Sequence, residues 1–240
     1  MNELENKIAI VTGAGSGIGR GIALAFAKEG ARVVLCGRHL GKIELTAQKI
    51  QEIGSEALTV QADVSNPADI NRLIGTTMDH YWRIDILVNN AGIFEGTSIH
   101  ETDISSWDRV MNTNLRGPFL AVHAALPIMR NQRGGHIINI SSESGLEYYT
   151  GDGIYGTSKH ALNDIGEYIQ RENQEFNIKV NTICPGMVVT EMTENEPGLK
   201  HDKCLYPEDI ADLVMWLVTR RPNIKIGTPI LIQTMQNPWE

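Results

Sequence analysis

At 240 residues, with 42% apolar and 21% charged residues, the chain has the length and composition of one large domain with a sizeable core. Its formal net charge is -8 and it carries no basic run, which argues against nucleic acid as a partner, because that affinity comes mainly from Lys and Arg on phosphates. No apolar run approaches the length of a membrane span, so a membrane is not expected as a partner either.

The polar, acidic residues 1–5 lead straight into a strand, which is not the pattern of a secretory signal. The three cysteines, Cys36, Cys184 and Cys204, are far apart, odd in number and match no zinc spacing. Cys36 and Cys184 sit in strand-like apolar runs and read as small core residues. A reducing compartment suits them, and the expected location is the cytoplasm.

Strand-like and helix-like segments alternate along the chain. Residues 7–11 form a short apolar strand, and residues 17–29 carry helical periodicity through Ile18, Ile22, Leu24, Ala25 and Phe26 before Gly30 stops them. A strand at 32–36, an amphipathic helix at 40–53 and a strand at 57–60 follow. Asn66 and Pro67 start the next helix as a cap followed by Pro in the first turn. The fourth strand is placed at 84–88, and one long helical stretch at 105–130, interrupted by Pro118 and Pro127. The fifth strand falls at 136–140, a helix at 154–172, the sixth strand at 179–184, a helix at 207–219 and a last strand at 229–232.

Near-continuous apolar strands separated by helices imply parallel strands buried on both faces. Right-handed crossovers then give a doubly wound α/β sheet, a Rossmann fold in three layers. There is no linker, composition break or repeat, so residues 1–240 are expected to form a single domain.

Thr12-Gly13-Ala14-Gly15-Ser16-Gly17-Ile18-Gly19 follows the first strand and opens the first helix. Glycines here permit a tight turn and close approach of the backbone to a pyrophosphate, which the helix N-terminus then holds. No Gly-Lys-Ser/Thr ending follows, which excludes a Walker loop. The loop therefore predicts a dinucleotide cofactor.

Gly13, Gly17 and Gly19 match a TGxxxGxG pattern, Asn89-Asn90-Ala91-Gly92 follows the fourth strand, and Tyr155 and Lys159 form YxxxK. With Ser142, Asn114 in Asn114-Leu115-Arg116-Gly117, and Pro185-Gly186 after the sixth strand, these motifs resemble the short-chain dehydrogenases/reductases, in that family's order and over essentially the whole chain. The resemblance implies an NAD(P)-dependent oxidoreductase moving a hydride between the nicotinamide and a carbonyl or secondary alcohol. It implies Asn114, Ser142, Tyr155 and Lys159 as the catalytic set, with Lys159 also holding the nicotinamide ribose and Asn114 a water-linked proton path. It places the phosphate contacts at Gly13, Ser16, Gly17, Ile18 and Gly19. It implies that Asp63, with Val64 beside it, meets the adenine, that Asn90, Ala91 and Gly92 line the adenosine side, and that Pro185, Val188 and Thr190 meet the nicotinamide half. It also implies a homo-oligomer, a tetramer, joined through the helices at 105–130 and 154–172.

Two features depart from the family's pattern. The expected substrate lid, about 191–206, is short, and the frequent Asp-Gly-Gly after the last strand is replaced by Ile232-Gln233-Thr234-Met235-Gln236-Asn237-Pro238-Trp239-Glu240.

Tyr155 and Lys159 are four apart on an expected helix and share one face. A nearby ammonium and the oxidised nicotinamide would both favour the phenolate, so Tyr155 reads as the general acid/base. Ser142, rather than Ser141 or Ser144, has the spacing to orient the substrate oxygen and stabilise charge on it. Tyr148 and Tyr149 lie where a pocket wall could form, although ordinary packing explains them equally well.

An NAD-specific fold places an acid about 20 residues beyond the glycine loop, at the end of the second strand. This chain has Cys36-Gly37-Arg38-His39 there. Gly37 leaves space and Arg38 suits a 2′-phosphate, so NADP is expected over NAD. The seven histidines show no ligand spacing, which disfavours a zinc enzyme. A cofactor-sensing regulator that binds NAD(P) without turnover is the alternative, and it sits poorly with the intact Ser142, Tyr155 and Lys159. A sugar-nucleotide epimerase would need a larger C-terminal substrate domain. The substrate is otherwise expected to be a small molecule whose identity the chain does not encode locally.

Overall fold

Strands rich in Ile, Val and Leu bury both faces, so each needs a helical layer on either side. The computed structural model, which describes residues 2–240, satisfies this with seven strands. In chain order the elements begin with β1 (Ile8–Thr12), α1 (Gly17–Lys28), β2 (Arg32–Gly37), α2 (Leu40–Glu52), β3 (Ala57–Gln61), α3 (Pro67–Tyr81) and β4 (Ile86–Asn89). They continue with α4 (Ile104–Met111), α5 (Gly117–Gln132), β5 (Gly135–Ile140), α6 (Gly153–Asn173), β6 (Ile178–Pro185), α7 (Pro207–Val218) and β7 (Ile230–Ile232).

The sheet order is β3-β2-β1-β4-β5-β6-β7 and every pairing is parallel. The chain reverses direction across the sheet between β1 and β4, where Ala9, Ile10 and Val11 pair with Ile86, Leu87 and Val88. A crevice opens beyond the carboxyl ends of the strands at such a switch point, and that is where ligands bind. One core packs α1 and α7 on the sheet through Ile22, Phe26, Ile210 and Val214. The other packs α3 and α5 on the opposite face through Ile70, Leu73, Ala125 and Met129. Phe26 is fully buried, and burying a side chain of this size stabilises by roughly 1.5–3 kcal/mol.

Helix ends follow their sequence signals. Asn66 Oδ1 accepts a 2.9 Å bond from the Ala68 amide and Pro67 fills the first turn of α3. Gly30 ends α1 at φ +84°, a left-handed conformation that suits glycine.

The helical stretch expected at 105–130 runs from Ile104 to Gln132, but as α4 and α5 with a distortion between them. Between α4 and α5 the backbone widens into a π-turn at Asn112–Arg116. Pro118 follows just after this π-turn, and Pro127 lies inside α5. Other boundaries differ from the expected ones by one or two residues. No helix among the described residues is long and apolar enough to cross a membrane.

Candidate active site

The glycine loop is tied to the switch point by Thr12. Its hydroxyl donates to the Val88 carbonyl at 3.1 Å and accepts from the amides of Asn90 at 3.0 Å and Ala91 at 3.1 Å. The Asn90 amide nitrogen Nδ2 donates to the Thr12 carbonyl at 2.9 Å. Gly13 has φ +66°, and a Cβ there would lie 2.8 Å from that nitrogen. Gly17 has φ +48°, and its Cβ would meet the Thr190 methyl at 3.0 Å. Glycine at these two positions therefore allows both the turn and the close packing around it. No side chain caps α1 at Ser16, so its first amides remain available to an anion.

A cavity of about 350 Å³ extends from this loop. Gly13, Ser16, Gly17, Ile18, Arg38, Asp63, Val64, Asn90, Ala91, Gly92, Tyr155, Lys159 and Thr190 all line it. Of the expected cofactor contacts, Gly19 instead packs inward: its Cβ would lie 2.5 Å from the Gly13 carbonyl. Pro185 and Val188 belong to a second cavity alongside. Asp63 commits Oδ1 to its own turn, accepting from the Ser65 amide at 2.9 Å and hydroxyl at 2.7 Å.

The glycine loop that lines the first cavity and the uncapped amides at the start of α1 suit a dinucleotide. At the end of β2, a Cβ on Gly37 would approach the Ile43 methyl Cγ2 to 2.9 Å. An acid at this position would therefore require Ile43 to move. Arg38 stands next, on the cavity wall and exposed.

Three lining residues that local pattern did not single out, His39, Lys42 and Glu191, lie on the same wall. Lys42 donates to the Glu191 carboxylate, and Arg20 approaches the same carboxylate at 3.9 Å. These contacts join α2 and α1 to residue 191 on the loop beyond β6. The partners are more than a hundred residues apart for Lys42, a pairing that no periodicity reveals.

Tyr155 and Lys159 stand one turn apart on α6 and face the cavity. Lys159 is buried and its Nζ donates to the Ile140 carbonyl at 3.0 Å. Burial pulls its pKa down from the ordinary 10.5 to about 8. Burial also pushes the Tyr155 phenol up to about 12, with a hydrogen bond to Ser142 pulling the other way. Desolvation is the dominant influence on this phenol, opposite in sign to the lowering expected from a neighbouring ammonium.

Ser142 and Ser141 point to different tasks. Ser141 is buried and its hydroxyl donates to the Lys159 carbonyl at 3.2 Å. Ser142 lines the second cavity with Tyr155 and its hydroxyl accepts from the Ser144 amide at 3.2 Å. Ser144 donates to Asp152 at 2.9 Å.

Asn114 sits in the π-turn, fully buried. Its Oδ1 accepts from the Ile93 amide at 2.9 Å, and its Nδ2 donates to the Ile93 carbonyl at 2.9 Å and to Ser158 at 3.2 Å. Both ends of the amide are therefore used to hold the loop after β4. The wide turn places Asn114 against that loop, a common use of π-bulges at functional sites.

The second cavity, about 390 Å³, shares Ile18, Ser141, Tyr155, Thr190 and Met192 with the first. Phe94 packs edge-on against Tyr155 with ring centroids 5.1 Å apart. Tyr149 lines this cavity, whereas Tyr148 is exposed and stacks on His160 at 5.0 Å. Glu143, Asp152 and Trp239 are further lining residues that sequence pattern did not identify.

A parallel sheet in this order, a glycine loop at the switch point and a Tyr-Lys pair facing it define an oxidoreductase of the Rossmann type. The chain belongs to the short chain dehydrogenase family, whose model matches residues 7–198, and it is an enzyme of that family. An uncharacterized oxidoreductase of Staphylococcus saprophyticus is 35% identical over 229 residues, 95% of this chain and 97% of its own length. A short-chain type dehydrogenase/reductase from Mycobacterium marinum superposes with a TM-score of 0.90 at 30% identity, covering 97% of this chain and 96% of that one. A metagenomic short-chain oxidoreductase solved in complex with NADP superposes with a TM-score of 0.85 at 31% identity, covering 98% of this chain and 100% of the other.

Proposed function

We propose that the protein is an NADP(H)-dependent carbonyl reductase in which Tyr155 is the general acid. The observation that carries this reading is that Tyr155 lines both cavities. One of them reaches back to Arg38 and the glycine loop, and the other holds Ser142. The reduced nicotinamide, when bound, supplies a hydride to the carbonyl carbon. Tyr155 donates its proton to the carbonyl oxygen, and Ser142 donates a hydrogen bond to the same oxygen as charge develops on it. Ketone, hydride and proton together make the alcohol. Lys159 places a positive charge beside Tyr155 and offers its ammonium to the ribose. Asn114 is a positioning residue that holds the Gly92–Ile93 loop under the site through Ile93. Arg38 pairs with the 2′-phosphate of NADP, in keeping with the NADP complex of the metagenomic relative.

Residues 191–206 act as the substrate lid of this single domain, with Met192, Thr193 and Glu196 on the cavity wall. The exposed side chains of Phe119 and Tyr168 on α5 and α6 mark the face through which copies associate, in a tetramer. The three free, buried thiols suit a reducing compartment, the cytoplasm.

The test is oxidation of NADPH and of NADH by the purified protein over a panel of ketones and aldehydes. Turnover with NADPH supports the reading. Cofactor binding with no turnover on any carbonyl would favour a cofactor-sensing protein instead.

A further inference from the structure

The second cavity has one sign of charge. Its walls carry three acids, Glu143, Asp152 and Glu196, and no Lys, Arg or His. Glu143 is half-buried, and neither a hydrogen bond nor a positive charge acts on its carboxyl. Burial, then Asp152 and Glu147, hold that carboxyl above its usual range. It lies against Gly186, where a Cβ would meet Oε2 at 3.0 Å, so glycine at 186 leaves the room that the carboxylate occupies. A half-buried carboxylate without a partner costs free energy unless a ligand compensates it.

Aromatic rings share the walls with the acids. Phe94 packs edge-on against Tyr155, Tyr149 lines the cavity, and Trp239 reaches it from the C-terminal tail. That tail is fastened to the lid: the Lys200 amide donates to the Pro238 carbonyl at 2.9 Å and the Thr234 hydroxyl to the Lys203 carbonyl at 2.8 Å. The unusual C-terminus thus builds a wall of the chain's own cavity.

Acids interleaved with aromatic faces suit an organic cation, through charge and through the ring quadrupoles. An anion would meet three like charges. A metal ion fits poorly, because among the described residues no three His, Cys, Asp or Glu gather closely enough to hold one. A neutral polyol would hydrogen-bond to the acids but leave their mutual repulsion unrelieved.

We propose that the substrate carries a protonated or quaternary amine away from its reacting carbonyl, with Glu143 as the principal partner of that charge and Trp239 as an aromatic wall beside it. This rests on the assignment of Tyr155 as proton donor to the carbonyl. The amine takes no part in the hydride and proton transfers and serves to orient the substrate.

Three methyl ketones that differ only at the far end of a three-carbon chain test it, the end being dimethylammonium, isopropyl or carboxylate. With NADPH at neutral pH, kcat/KM for the ammonium ketone is expected to exceed that of the isopropyl ketone by about tenfold or more, and the carboxylate ketone to be the poorest. Glu143→Gln should cut the ammonium-to-isopropyl ratio to within about threefold. A wild-type ratio near one, a preference for the carboxylate, an unchanged ratio in Glu143→Gln, or a ketohexose preferred over all three would overturn the proposal. Calorimetric binding of the same ketones to the NADP-saturated protein separates the two readings. Ammonium-selective binding that needs Glu143, without reduction, would sink the reductase assignment and leave the cation site standing. Reduction of neutral ketones with no ammonium-selective binding would do the reverse.

Discussion

Lys159 Nζ stands 5.5 Å from the centre of the Tyr155 ring while donating a 3.0 Å hydrogen bond to the Ile140 carbonyl. The ammonium is therefore held by β5 and stands beside the phenol ring without bonding to it. Tyr155 keeps its proton, with a pKa pushed up to about 12, and the charge that faces it belongs to a lysine brought down to about 8. Tyr155→Phe should lower carbonyl reduction by about a hundredfold or more, the usual contribution of a positioned general acid. NADP affinity, read by fluorescence titration, should stay within a few-fold of wild type, and near-wild-type turnover in the variant would remove Tyr155 from the mechanism.

The Lys159 value sets the pH dependence. Below about 8 the side chain is charged, and above it the charge beside Tyr155 is lost. Carbonyl reduction is expected to fall as pH rises through that value. In Lys159→Arg, whose guanidinium stays protonated, the falling limb should vanish even where the overall rate drops. A limb that persists in the arginine variant belongs to another group.

Arg38→Ala tests cofactor choice. Charge-assisted contacts contribute roughly 1.5–3 kcal/mol, so kcat/KM with NADPH should fall roughly tenfold to a hundredfold and change little with NADH. A wild type that prefers NADH, or a variant equally impaired with both, would show that Arg38 does not read the phosphate.

Asn114→Ala would leave the Ile93 amide and carbonyl and the Ser158 hydroxyl short of a buried partner. Each orphaned group costs about 1–3 kcal/mol. A loss of at least about 2 kcal/mol in urea unfolding is expected, together with loss of turnover. Asn114→Asp should not rescue the site, because it turns an acceptor oxygen toward the Ile93 carbonyl.

His136 is buried, with Nε2 2.8 Å from Asn181 Oδ1 and Nδ1 without a partner. Burial pulls its pKa from 6.5 down to about 4. The unfolded chain therefore takes up this proton first as the pH falls. The resulting stability is fully present above pH about 6.5 and is lost between there and about 4, amounting to roughly 3 kcal/mol. Urea midpoints at the two ends of that window, compared between wild type and His136→Gln, should show a smaller drop in the variant. An equal drop would assign the acid sensitivity to other groups.

The sequence by itself determined what depends on neighbours along the chain. Alternating apolar strands and amphipathic helices called for a parallel sheet covered on both sides, and β1 to β7 form it. The glycines between β1 and α1 required a tight anion-binding turn, and the four-residue spacing put Tyr155 and Lys159 on one face of α6. Tertiary structure decided what depends on partners far apart. The π-turn arises where Asn114 closes on Ile93, and a helical period cannot register a pairing across two elements. Ser141 and Ser142 are equivalent in composition, and only the packing of β5 against α6 sends the Ser141 hydroxyl to the Lys159 carbonyl and sets that of Ser142 beside Tyr155. Lys42 meets Glu191, and Trp239 reaches the wall beside Glu143, because folding returns distant segments to one crevice. The Tyr155 pKa turned on the same distinction. A nearby lysine is visible as a spacing, whereas the desolvation that raises the phenol exists only once the chain has closed around it.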